Sequence, residues 1–94
     1  AFARAAQADS GFAEAWANRG TSALSYGDAA LAISRYRVAI RAASPSPVYC
    51  TNLAHALLVA GYPDSASVAL VNALVVDSTF LPARGLIEQL DAER

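Results

Sequence analysis

Apolar residues recur along the chain at spacings of three and four, the spacing that lines one face of an α-helix. The alternation typical of strands is weak, and alanine is abundant. The pattern therefore predicts an all-α fold. It contains six helical segments, at roughly residues 1 to 8, 12 to 26, 29 to 42, 46 to 60, 63 to 77 and 80 to 93.

Turn-forming residues separate these segments. The predicted breaks fall at Ser10-Gly11, Gly27-Asp28, residues 44 to 47, residues 61 to 63 and Ser78-Thr79. Glycine supplies positive φ at helix ends, Ser, Thr or Asp caps the following helix, and proline is tolerated in a first turn. Each predicted helix thus has its own start and stop.

The chain also aligns with itself at an offset of 34 residues. The identical pairs are Asn18 and Asn52, Gly27 and Gly61, and Ala32 and Ala66. Two positions hold one residue in three successive copies, namely Ala5, Ala39 and Ala73, then Ser10, Ser44 and Ser78. Such a period indicates stacked copies of one small unit, so function is expected on a surface rather than in a catalytic pocket.

The residues at these positions resemble the tetratricopeptide repeat, a helix-turn-helix unit. The first copy carries Trp16, Gly20, Ala32, Tyr36 and Ala39, and the second carries Cys50, Ala54, Ala66, Leu70 and Ala73. Departures from the family pattern are Arg19 for leucine, Ala23 for tyrosine, Ser44 for proline and Arg84 in the slot of Trp16. Arg84 suggests either a polar cap or a helix that something outside this chain covers.

The resemblance implies one domain, residues 1 to 94, built as a right-handed superhelical solenoid of antiparallel helix hairpins. Residues 1 to 12 would be the second helix of a preceding unit, with Phe2 and Ala5 in register. Residues 13 to 46 and 47 to 80 would be two full repeats. Residues 81 to 94 would be the first helix of a following unit, or a cap. Trp16 is expected to be largely buried.

The family binds extended peptides or partner helices on the concave face that the first helices line. Carried over by position, this groove would present Glu14, Asn18, Thr21, Ser25, Val48, Thr51, Asn52, His55 and Val59. Asn18 and Asn52 share one slot, where an amide can donate to and accept from a peptide backbone. The alternative is that these asparagines bond neighbouring helix ends. Some family members clamp a partner's C-terminal carboxylates in this groove with lysines and an arginine. This chain has no lysine, which disfavours binding of that type.

Two further clusters lie on second helices of the units. Val68, Val71 and Val75 form a stripe on a face that the family normally leaves exposed to solvent. An exposed apolar stripe predicts burial against another chain or a missing domain, unless a shifted register buries the valines within this chain. Arg35, Arg37 and Arg41 are compatible with a phosphate or acidic-partner site or with an ordinary solvated face.

The composition of the chain disfavours several kinds of partner and site. The formal net charge of -1 disfavours nucleic acid and anionic membrane surfaces as partners. One cysteine and one histidine predict no internal disulfide, no metal site and no cofactor. We interpret Cys50 as an inert core thiol and His55 as groove-lining or solvated, because it has no ligand partner on its helix. The longest apolar run is too short to span a bilayer.

We therefore expect a protein interaction module rather than an enzyme, which binds a peptide or a partner protein in its groove and forms possible homo-oligomers. Since the chain opens at Ala1 without methionine, we expect it to be a segment of a larger scaffold. The alternative is a regulatory or substrate-docking segment of an enzyme whose catalytic domain lies elsewhere. An RNA-binding helical repeat is a more distant reading, since the chain is not basic.

Overall fold

A computed structural model of the chain describes residues 2–43 and 46–93, with the backbone alone for residues 2–10. The described residues form five α-helices and no strand, which confirms the all-α prediction. The helices are α1 (Phe2–Ser25), α2 (Ala29–Ala42), α3 (Pro47–Ala60), α4 (Pro63–Val76) and α5 (Leu81–Glu93).

The first helix differs from the sequence prediction. α1 runs without interruption through Ser10 and Gly11, so the predicted break there is wrong. Glycine in a helix interior costs only about 1 kcal/mol relative to alanine, and serine costs less. Two such residues therefore do not by themselves end a helix. The side chains of Phe2 and Ala5, and all of Ser44 and Pro45, lie outside the described residues.

The helix ends repeat from one unit to the next. Gly27 follows α1 with φ +84°, and Gly61 follows α3 with φ +91°, a left-handed conformation that favours glycine. In both places the N–H of the next residue bonds to a carbonyl near the end of the helix, at 2.9 and 2.8 Å. This is the hydrogen-bond pattern of a glycine-terminated helix, and it occurs twice in register.

Side-chain caps fix two of the helix starts. Asp28 accepts a hydrogen bond from the Leu31 N–H through its Oδ1 at 3.0 Å, at the start of α2. The Ser46 hydroxyl accepts from the Tyr49 N–H at 3.4 Å, and Pro47 occupies the first turn of α3. These bonds satisfy backbone donors that a helix start leaves free. Asp28 and Ser46 therefore act as the sequence predicts, whereas α4 starts without a side-chain cap.

The helices pack as a chain of hairpins. Each helix contacts the next one, and α3 also contacts both α1 and α5. Within the described residues, α2 and α4 do not contact each other. The odd-numbered helices thus lie side by side along one face, while the even-numbered helices are spread apart on the other. We call the face that α1, α3 and α5 share the inner side of the array.

Alanine dominates the buried positions. Two apolar clusters fill the array, one mainly between α1 and α2 and one among α3, α4 and α5. The larger buried side chains are Tyr36, Leu57, Leu70 and Leu90. Small residues let the helix backbones approach closely, as at Gly20, where an added Cβ would lie 2.8 Å from Cε1 of Tyr36.

The last helix, α5, carries several exposed polar residues. Arg84 is exposed, and so are Glu88 and Asp91 further along α5. The exposed side of α5 is thus mostly polar, although Leu81 at its start is 75% exposed. None of the described helices is long and apolar enough to cross a membrane.

Candidate functional site

A cleft of about 320 Å³ opens between α1 and α3 on the inner side of the array. Its lining combines polar and apolar groups from three helices: Thr21, Leu24 and Ser25 from α1, Tyr36 from α2, and Asn52 and His55 from α3. Four of the residues predicted for the groove therefore meet in one place. Leu24 and Tyr36 join them and were not among the residues predicted for the groove.

A hydrogen-bonded pair forms part of the cleft lining. The hydroxyls of Thr21 and Tyr36 lie 2.8 Å apart, and the Thr21 hydroxyl donates to the Ala17 carbonyl at 3.2 Å. Either hydroxyl could donate in the bond between them, and when the Thr21 proton is used at Ala17, Tyr36 is the donor to Thr21. The Tyr36 oxygen then keeps its lone pairs to accept a bond from a ligand. The tyrosine itself is only 2% exposed, so this oxygen is held in place.

The serine and asparagine of the cleft differ in what they offer. Ser25 donates to the Thr21 carbonyl at 3.0 Å, so its proton is also used within α1. The Asn52 amide and the His55 ring, by contrast, have no hydrogen-bond partner among the described residues. Asn52 therefore presents both a donor and an acceptor to whatever enters the cleft.

The other residues predicted for the groove lie elsewhere. Thr51 is only 8% exposed, and its hydroxyl donates to the Pro47 carbonyl at 2.7 Å, so it offers no free donor. Glu14, Val48 and Val59 are exposed but do not line the cleft. Asn18 lines a different groove, described next. The equivalent asparagines thus face two separate openings.

The second groove, of about 470 Å³, lies between α1 and α2. We call it the arginine groove, and its lining residues are Asn18, Arg19, Ser22, Ala23, Tyr26, Leu31 and Arg35. Beside it, the Cζ atoms of Arg19 and Arg35 lie 5.1 and 5.5 Å from the ring centroid of Trp16. Both distances are within the range for attraction between a cation and an aromatic face.

Most of the Trp16 side chain is buried, as the sequence predicts, and part of it remains exposed. Its ring also contacts that of Phe12, with centroids 6.0 Å apart and planes tilted by 56°. Sequence reasoning missed this cluster. The spacing of Trp16 and Arg19, one turn apart on a helix, could have indicated half of it, whereas Arg35 comes from another helix.

The valine stripe is open to solvent. Val68, Val71 and Val75 are 61%, 48% and 80% exposed, so the alternative that a shifted register buries them is wrong. Val68 also lines an outer cleft of about 270 Å³ that Leu53 and Arg37 border. The two arginines Arg37 and Arg41 are exposed on α2.

Cys50 packs at the edge of the α3 to α5 cluster and is half-buried. Burial raises the pKa of its thiol, which disfavours the nucleophilic thiolate. Among the described residues, no group of three or more His, Cys, Asp or Glu side chains is placed to hold a metal ion.

The geometry therefore offers two open grooves lined by hydrogen-bonding side chains. The resemblance to tetratricopeptide repeats depends on the residues quoted above. Comparison of the chain with protein-family models, with curated proteins and with solved structures finds no match.

Proposed function

We propose that this chain is a protein interaction module of the tetratricopeptide type, a right-handed solenoid segment that binds an extended peptide in the cleft between α1 and α3. The observation that carries the proposal is the set of hydrogen-bonding groups in that cleft. The free amide of Asn52 and the fixed hydroxyl oxygen of Tyr36 line the same opening.

These groups suit a peptide backbone better than a specific side chain. A backbone amide unit offers one donor and one acceptor, and the Asn52 amide can pair with both. Leu24 adds an apolar contact beside it. Such a cleft holds an extended segment with little dependence on its sequence, and the ligand's side chains add specificity.

The position of the cleft supports the same function. It lies on the inner side of the array, between helices α1 and α3 that contact each other. A groove between rigid helices is preorganised, so binding does not require the cleft itself to be ordered first. Further units stacked on this segment would extend the groove, as expected for a solenoid.

The test is selection of peptides from a random display library, followed by titration of the selected peptides against purified variants. Asn52→Ala should weaken binding about 2- to 12-fold, because a lost hydrogen bond is worth about 0.5 to 1.5 kcal/mol. Asn72→Ala is the matched control, since Asn72 is an exposed asparagine on α4 and lies away from this cleft.

Circular dichroism should show both variants to be as helical as the wild type. The proposal fails if selection yields no binder, or if the selected peptides bind Asn52→Ala as tightly as Asn72→Ala. Selected peptides that respond instead to changes at Arg19 or Arg35 would belong to the arginine groove.

A further inference from the structure

Two positive charges converge on one tryptophan. The guanidinium groups of Arg19 and Arg35 come from α1 and α2, and each lies within 5.5 Å of the Trp16 centroid. Within the described residues, neither arginine forms an ion pair with a carboxylate. The ring attracts both cations, but it does not neutralise them.

The arginine groove surrounds these charges with further polar groups. Asn18, Ser22 and Tyr26 line it together with the two arginines, and each carries a hydrogen-bond donor. Tyr26 is 89% exposed, so its phenol is available to a partner. Tryptophan, tyrosine and arginine are the residues in which binding energy concentrates at protein interfaces.

Comparison with the next unit shows what kind of partner fits. The residues 34 positions after Arg19 and Ser22 are Leu53 and Ala56, and both pack in the α1 to α2 cluster. At that internal junction the chain's own helix α2 covers the apolar pair. At the arginine groove the same positions are cationic and polar. The groove is therefore suited to an anionic partner rather than to an apolar helix.

We propose that the arginine groove binds an acidic peptide segment of a partner protein through its carboxylates. A guanidinium pairs with a carboxylate through two parallel N–H bonds, and stacking on an aromatic ring orients it for this geometry. Trp16 holds the two guanidiniums, and Asn18 and Ser22 donate to the remaining carboxylate oxygens. The site shares no lining residue with the cleft between α1 and α3, so it is a separate binding surface.

The test uses two short blocked peptides that are identical except that glutamine replaces every glutamate in the second. Trp16 is the single tryptophan, so its emission reports directly on the site. The glutamate peptide should change this emission in a saturable titration, and the glutamine peptide should not. The change should diminish as salt is added, because exposed charges are screened.

Variants locate the site by anisotropy of the labelled glutamate peptide. Arg19→Gln with Arg35→Gln should weaken binding at least about tenfold, which corresponds to 1.4 kcal/mol. The control, Arg37→Gln with Arg41→Gln, removes the same charge from exposed positions on α2 and should leave affinity nearly unchanged. Arg19→Lys with Arg35→Lys keeps the charge and should bind with intermediate affinity.

Several results would overturn the proposal. If both double glutamine variants lose the same affinity for the glutamate peptide, the peptide is bound by general charge attraction and not by this groove. A phosphorylated peptide that binds far more tightly than the glutamate peptide would change the ligand class. The wild-type chain could instead self-associate through this groove. If Arg19→Gln with Arg35→Gln abolishes that self-association and the glutamate peptide does not compete with it, a second copy of this chain is the occupant.

Discussion

Replacement of Gly20 by alanine tests the close approach of α1 and α2. A Cβ at position 20 would lie 2.8 and 2.9 Å from the Cε1 and Cδ1 atoms of Tyr36, closer than carbon atoms normally approach. The ring cannot move away easily, because it is 2% exposed and its hydroxyl is bonded to Thr21. Either the helices separate or the ring shifts.

The expected cost follows from three terms. Overpacking of a core costs about 1 to 3 kcal/mol. A shift of the Tyr36 ring also weakens its bond to Thr21, which is worth about 0.5 to 1.5 kcal/mol. The higher helix propensity of alanine raises the free energy of unfolding by about 0.8 to 1.0 kcal/mol, because alanine replaces glycine within a helix. We therefore expect a net loss of about 2 kcal/mol in the free energy of unfolding.

The matched control is Gly85→Ala in α5. An added Cβ at Gly85 meets no atom within 4 Å, so only the propensity gain remains. This variant should be more stable than the wild type by about 0.5 to 1 kcal/mol. Urea denaturation followed by circular dichroism measures both. If the Gly20 variant gains stability as the Gly85 variant does, position 20 does not lie in close contact with the Tyr36 ring.

Three further predictions follow from burial. Trp16→Ala should cost about 3 kcal/mol in urea denaturation, the lower end of the range for a buried aromatic, because the side chain is largely but not fully buried, and a loss below about 1 kcal/mol would contradict that burial. Val71→Glu combined with Val75→Glu should keep the wild-type helicity and weaken self-association in sedimentation velocity, while an unfolded variant would refute the exposed stripe. Burial raises the pKa of the Cys50 thiol, so its contribution to stability is complete below the ordinary thiol pKa and is lost as the pH rises through the raised folded value. Cys50→Ala should remove that part of the decline in urea midpoints measured across alkaline pH.

Much of the fold could be predicted because it depends on local rules. The turns at Gly27 and Gly61 were predicted from residue type, and glycine occupies a left-handed conformation in both places. Ser10-Gly11 misled the prediction because the same residue types also tolerate a helix interior at modest cost. Turn-forming residues thus end a helix reliably only where helix packing also requires the chain to reverse direction.

The candidate site was only partly predictable for a different reason. Position in a repeat indicates which helix face a residue occupies. On that basis Asn52 and His55 are predicted for the groove, and both line the cleft. It does not indicate which neighbour a side chain meets across a helix pair. The bond between Thr21 and Tyr36, and the contact of Arg35 with Trp16, join different helices and depend on the packed geometry.

The prevalence of alanine among the buried positions has a thermodynamic consequence. A buried alanine removes little apolar surface from water, and exposure of apolar surface is the main source of the heat-capacity increase on unfolding. The increment for this chain should therefore fall below the usual value of about 12 to 15 cal/mol/K per residue. A small increment flattens the dependence of stability on temperature. The protein should then lose stability gradually as the temperature moves in either direction from its stability maximum.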